Sequence, residues 1–500
     1  MKQLKYISAI LILAVSVTFS GCKDDYLDTV PTSDISDVTA FSSLDNLQLV
    51  LNGIYRKMVS QDGSSQGLGG EPGYIVSRET LGDDLTWQTN TWHKTTHQWS
   101  AHRSAVNSVT TFPWRYYYRW IMHANFILEN IDQYEQLNPS LHHGIRGEAL
   151  AIRAYAHFLL VQMYGKRFQA GDANGQPGVP IRLDSSLEPQ ERSSVAQVYD
   201  QIVKDLDEAI QLLEGYTPVD VQTHITQDVA YGLKARVALT QQDYTAAASA
   251  AHAAIETAKK GGYKLMEGDE LYNGFADITT ATKEALWAAR TKSDQTVYFY
   301  HFMAYMSWND NTTAIRQGVK AISLDTYEMM SPSDLRRKWW DPEGSRNDLV
   351  GGDYNSYVTY PGQGRKFRAR SQSDHVSDYA FMRIAELYLI EAEALARTGK
   401  DAEAQNVLTE FALTRDPEYA PSNTGEALIG EIMTHRRIEL WGEGFRWFDL
   451  KRLNLPMDRT GSNFDLSFCA VMHVDAGDIR WQWAIPQEEL DSNDLMKPNE

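Results

Sequence analysis

The chain reads as a mainly α-helical scaffold that carries a large irregular, loop-rich insert and few short strands. Three observations predict this. Long stretches repeat their apolar residues at helical spacing. A helix-turn-helix pattern at Tyr231–Ala258 recurs at Tyr388–Phe411, 157 residues later. Between the two copies, residues 265–377 lose that period and fill with Tyr, Trp, Asn, Asp, Gly and Ser. In both copies small residues, Ala235 and Ala247, then Ala392 and Ala404, let two helices approach closely, which is tetratricopeptide spacing in degenerate form. Such pairs cannot bury a face alone and must stack.

The front of the chain reads as an address. Lys2 and Lys5 precede an uncharged apolar run from Ile7 to Phe19, 13 residues long. A spanning helix needs ~20, so residues 1–21 read as a signal peptide rather than a membrane span. Ser20 and Gly21 before Cys22 fit a bacterial lipoprotein cleavage site, which makes Cys22 the expected lipidation site and residues 22–40 a tether. A diacylated Cys gives stable membrane anchoring where a single chain does not. Cys469 is the only other cysteine, so no intramolecular disulfide is expected once Cys22 is lipidated.

Part by part, residues 41–264 read as helical repeat with N-terminal binding loops at 61–112, and residues 378–500 as the second repeat with a C-terminal region. Leu44 to Val59 is predicted as a helix behind Ser42 and Ser43. Gln61 to Gly73 is predicted as a loop, and Thr80 to Phe112 shows no clean period. Helices follow at Trp114–Leu137 and Ile145–Tyr164, separated at Pro139. Ser194, with Gln197 three residues on, predicts a capping box opening a helix to Glu214.

The net charge of −19 argues against nucleic acid, which needs a basic surface. No phosphate loop or dinucleotide fingerprint is present. His93, His97 and His102 lie within ten residues, but no third ligand stands at metal spacing, so surface or hydrogen-bonded histidines are expected and no metal or cofactor. Asp83 to Trp92 places carboxylates, amides and two indoles on one loop. Sugars present flat CH faces and rings of hydroxyls, so aromatic plates edged by planar polar groups suit them. Asp84, Trp87 and Trp92 are candidate ligand contacts there, with Tyr298 and Trp308 of the insert as an opposite wall.

A family resemblance then emerges from the C-terminal region. Arg436, Arg437, Glu439, Trp441, Gly442, Glu443, Gly444, Arg446, Trp447, Phe448, Asp449 and Arg452 resemble the signature helix of SusD/RagB outer-membrane lipoproteins. Gly147 to Tyr155, Gly178 to Ile181, Asp25 to Leu27 and the tail from Trp483 to Asn499 are similar to the family too, although the tail lacks its usual closing Gly-Tyr. The resemblance implies a surface lipoprotein that captures nutrient, usually oligosaccharide, for a SusC-like TonB-dependent transporter. It also adds Asn90: Trp87 and Asn90, three apart, match the starch-binding Trp and Asn of the family's best-known member. Lys23, Asp24 and Asp25 resemble the export signal that sends Bacteroidetes-type lipoproteins to the outer face of the outer membrane. A peptide-binding RagB-like lipoprotein with the same partner, and a surface glycoside hydrolase, are the alternatives. The signature carboxylates themselves, with Glu439 and Glu443 four apart on one face, read as structural ion pairs rather than a catalytic pair.

Overall fold

A computed structural model describes residues 41–60, 70–87, 92–292, 302–345, 358–373 and 376–499. Cys22, Asn90 and Tyr298, named above, lie outside these residues, as do the proposed signal peptide and tether.

The first helix, α1 (Leu44–Val59), is capped by the Ser43 side chain and buries Leu47, Leu51, Ile54 and Met58. The next begins earlier than expected: Gly70 to Glu79 forms α2, every residue of it buried. The loop expected to Gly73 thus gives way to helix at Gly70, because a helix surrounded on all sides has no polar face to give it a period. Helix α3 (Ser108–Asn130) starts at an Asn107 cap, and α4 (Pro139–Tyr164) at an Asn138 cap with Pro139 in its first turn. Pro139 thus opens a helix, where its missing N–H is harmless, rather than merely ending one. Helix α5 (Val195–Leu212) carries the capping box of Ser194 and Gln197.

The repeats are α6 (Gln227–Gln241) with α7 (Tyr244–Lys260), and α8 (Ile384–Arg397) with α9 (Asp401–Ala412). Ala235, Ala247, Ala392 and Ala404 are fully buried. Helix α7 packs on α8, so the two copies are spatial neighbours and the insert between them loops out. Helices α10 (Gly425–Glu439) and α11 (Arg446–Arg452) follow.

The insert returns to the scaffold through short strands. Strands β1 (Leu85–Thr86), β3 (Ala321–Ile322), β4 (Trp340–Asp341) and β5 (Gln363–Gly364) form one small antiparallel sheet in the order β1-β3-β5-β4. Strand β2 (Ala285–Ala289) pairs antiparallel with β6 (Tyr379–Arg383) at the base of the insert. A two-stranded ribbon, β7 (Met457–Asp458) with β8 (His473–Val474), completes the C-terminal part.

Candidate functional site

The loop between α2 and β1 is held by the signature segment. Glu79 accepts the backbone N–H groups of Gly442 (3.0 Å) and Gly444 (2.9 Å). Asp83 accepts from Arg446 Nε (2.6 Å), and Asp84 from Arg437 Nη2 (2.5 Å) and Thr326 Oγ1 (2.8 Å). Trp441 Nε1 donates to the Asp84 carbonyl (2.9 Å). Buried Arg459 gathers the carbonyls of Thr80, Gly82 and His97.

Two expected ligand contacts are corrected by this packing. Asp84 is buried and fully engaged; burial alone raises its pKa, but the Arg437 and Arg446 guanidiniums outweigh that and hold it below the usual carboxylate range. It fixes β1 to α10 and offers no edge to a ligand. Trp87 is fully buried, not an open plate. Its neighbours Leu85 and Thr86 pair with β3, and the ring turns inward against His97 (4.6 Å between centroids) and Phe468 (5.6 Å). The Lys320 ammonium lies 4.3 Å from its centroid and donates to the Gly318 carbonyl (3.0 Å). Burial lowers the Lys320 pKa to about 7.

Past the loop, a second set of rings gathers around Tyr305, which is itself only 3% exposed. Trp92 is half-buried and meets Tyr305 edge-to-face at 6.3 Å. His93 meets the same Tyr305 at 5.4 Å, and its Nδ1 lies 3.2 Å from Ser77 Oγ. Burial, reinforced by Lys320, lowers the His93 pKa to about 3, so this ring is neutral at ordinary pH. Trp308 is buried to 8% exposure, with the Arg368 guanidinium 5.9 Å from its ring. The structure therefore brings Trp92, His93 and Tyr305 together. Trp308 stands in the same insert as Tyr305 and is likewise buried.

The other histidines are hydrogen-bonded core residues. His97 sits between the Thr80 carbonyl (3.0 Å) and Cys469 Sγ (3.1 Å), and His102 Nε2 bonds the Arg480 carbonyl (2.9 Å). Among the described residues no group of three or more His, Cys, Asp or Glu is placed to hold a metal ion. No described helix is long and apolar enough to cross a membrane.

The signature carboxylates form a buried network, and helix α10 ends at Glu439, so Glu443 lies in the following turn rather than on the same helix face. Glu439 receives Arg383 Nη1 (2.8 Å), Arg415 Nη2 (2.9 Å) and Arg336 Nη1 (3.3 Å). Glu443 receives Arg383 Nη2 (2.6 Å) and Lys366 Nζ (2.5 Å). Arg436 pairs with Asp449 (2.7 Å). Burial raises the carboxylate pKa values of Glu439 and Glu443, but these cations overcome it and hold both below the usual range. A general acid needs the opposite shift.

Sequence reasoning passed over His93 as a site residue because it was weighed only as a metal ligand, and over Lys320 because a lone Lys in an aperiodic stretch carries no signal. Tyr305 was visible as one of several insert aromatics.

Two family models cover the chain. Residues 25–239 match a family described as starch-binding and associating with the outer membrane, and residues 235–500 match the SusD family. The SusD-like protein P38 of Formosa agariphila is 23% identical, covering 92% of this chain and 94% of its own. A SusD superfamily protein from Bacteroides thetaiotaomicron superposes with a TM-score of 0.79 at 23% identity, over 92% of this chain and all of that one. A SusD-like carbohydrate-binding protein from Bacteroides vulgatus does so with a TM-score of 0.78 at 22% identity, over 91% of this chain and 97% of that one. With the SusD model matching more than half its length, and its signature segment folded into the centre of the molecule, the chain belongs to the SusD family.

Proposed function

We propose that this protein is a non-catalytic, cell-surface glycan-binding lipoprotein that captures oligosaccharide and passes it to a SusC-like TonB-dependent transporter. The observation that carries the reading is the match to starch-binding and SusD families along the chain from residue 25 to residue 500. The structural likeness to a carbohydrate-binding SusD-like protein supports the same reading. Lipidation at Cys22, outer-membrane attachment and the outward-facing orientation implied by Lys23, Asp24 and Asp25 complete the proposal.

The contact surface we assign to the glycan is the rim at half-buried Trp92, backed by His93 and by the buried ring of Tyr305. Trp92 would stack on a sugar CH face, where an aromatic ring gains free energy without competing with water for hydroxyls. Trp308, 8% exposed, is a secondary contact at most. Asn90 and Tyr298 belong to the same proposal by sequence position. Trp87 and Asp84 act beneath this rim by fixing the loop that carries it.

Calorimetric titration of the purified protein with a panel of oligosaccharides and peptides tests the reading. Saturable binding of at least one oligosaccharide, with no release of reducing ends, is expected. Binding of peptides alone would transfer the protein to the RagB-like alternative, and turnover of the glycan would make it a hydrolase.

A further inference from the structure

His93 and His97 sit on a strained segment of chain. Lys94–His97 is a single helical turn, bracketed by two non-glycine residues in the left-handed region: His93 with φ of 68° and Trp99 with φ of 54°. A bulky residue holds that conformation only where its surroundings enforce it, and such strain gathers at clamps and switches. Trp92, which meets Tyr305, stands at the head of this segment.

Hydrogen bonds fix the same tautomer in both rings. Ser77 Oγ donates to the Gly73 carbonyl (2.9 Å), so it accepts from His93 Nδ1 (3.2 Å). The Thr80 carbonyl can only accept, so His97 Nδ1 donates to it (3.0 Å). Each ring therefore has a bare Nε2. That of His93 is buried without a hydrogen-bond partner among the described residues. That of His97 accepts from the Cys469 thiol (3.1 Å), whose own pKa burial raises. A second proton would find no acceptor beside His93 and only a weakly accepting sulfur beside His97.

The surrounding charges oppose that proton as well. Lys320, from the insert, faces both rings, and Arg459 faces His97. The Lys94 ammonium lies 5.2 Å from the Phe468 ring, on which His97 also packs. Tyr305 presents only its ring to His93. Among the described residues no carboxylate hydrogen-bonds either imidazole. Glu79 is held by Gly442 and Gly444, Asp83 by Arg446 and Asp84 by Arg437, while Asp465 accepts from Ser467. Burial first, then these cations, keep both imidazoles well below the ordinary pKa of 6.5, His93 at about 3.

We propose that residues 92–99 form an acid-released strap: uncharged His93 and His97 hold it down at neutral pH, and proton uptake at their Nε2 atoms frees it, carrying Trp92 off Tyr305. The closed strap keeps both rings neutral, and a released strap lets them take protons. The closed form is therefore favoured above about pH 6.5 and loses ground as pH falls below it. Lys320 gains its charge as pH falls through about 7 and adds to the repulsion in the same direction. The effect on a ligand rests on the glycan reading; the release of the strap does not.

Hydrogen exchange of the full chain, corrected for the intrinsic effect of pH, is measured by mass spectrometry at pH 7 and pH 5. Each imidazole freed to its ordinary pKa favours the released strap by about 25-fold over that interval, and the two together by about 600-fold. Residues 92–99 are expected to lose protection by about that larger factor, while α8 and α9, which hold no histidine, keep theirs. His97→Gln should reduce the loss to about 25-fold, and the double variant with His93→Gln should remove it. Protection at 92–99 that changes no more than that of α8 and α9, or a loss that persists in the double variant, would overturn the proposal. Should the double variant not fold, His93→Gln alone decides, by cutting the wild-type loss to about 25-fold or leaving it intact. Glycan titration at the same two pH values is expected to show weaker binding at pH 5, and equal affinity beside a loosened strap would overturn the link to the ligand. A strap that loosens in a protein that binds no glycan would sustain this inference and overturn the glycan reading alone.

Discussion

At the residue scale, two of the side chains best suited by type to hold a ligand, Trp87 and Asp84, are buried and hold the loop instead. Trp87 is a buried anchor with a cation over its face, so Trp87→Ala should remove about 3–5 kcal/mol of stability. Chemical denaturation would read this as a large fall in midpoint, and an unchanged midpoint would return Trp87 to the surface. Glu79 makes a second residue-scale prediction. Burial is the largest cause of its raised pKa, which lies at about 7 against 4.5 for the free group. The folded state therefore holds a proton through that window that the unfolded chain has released. Its contribution to stability is full below about pH 4.5 and is lost as pH rises to about 7. Glu79→Gln should flatten that part of the stability–pH curve, as measured by thermal melts between those values. The indole and carboxylate types were legible in the sequence, but their direction was not. Whether Trp87 faces in or out is fixed by the pairing of Leu85 and Thr86 with Ile322 and Ala321, more than two hundred residues away.

At the element scale, the turn from α10 to α11 organises the molecule. Gly442 and Gly444 adopt φ of 81° and 85°, and a Cβ on Gly442 would lie 2.6 Å from the Phe367 ring. These two residues let the chain reverse and present both N–H groups to Glu79. Glu439, behind the turn, sits among three arginines from separate segments. Removing one partner of a buried ion pair strands the others, so Glu439→Gln should cost about 3–5 kcal/mol, seen as a lower melting temperature. Hydrophobic replacement of the whole cluster would not carry the same penalty. Helices with a cap, a period or a repeat were legible: α1, the capping box of α5 and both repeat hairpins follow their sequence pattern. Helix α2, buried all round, and the two-residue strands of the insert were not, because neither has a period to read.

At the scale of the whole molecule, the two repeat hairpins pack on each other through α7 and α8, and the insert emerges between them. Its strands return to β1, so the sheet joins the N-terminal loop, the insert and, through Trp441 and Arg437, the signature helix. The Trp92, His93 and Tyr305 rim stands on that junction, drawing residues from both the N-terminal loop and the insert. On the proposed reading, such a construction places the ligand-contacting loop on a rigid base, which is how binding function is usually carried on a helical scaffold. The family resemblance was legible because the signature residues are contiguous in sequence. The rim was only partly legible because its members are over two hundred residues apart.

The most direct measurement is calorimetric titration of the wild-type protein and of Trp92→Ala with the oligosaccharide that binds best in a glycan panel. The account expects micromolar-class binding to weaken by about tenfold or more, a loss of about 1.4 kcal/mol, while the melting temperature stays within about 2 °C. Equal affinity in the two proteins, or the absence of any glycan bound by the wild type, would contradict it.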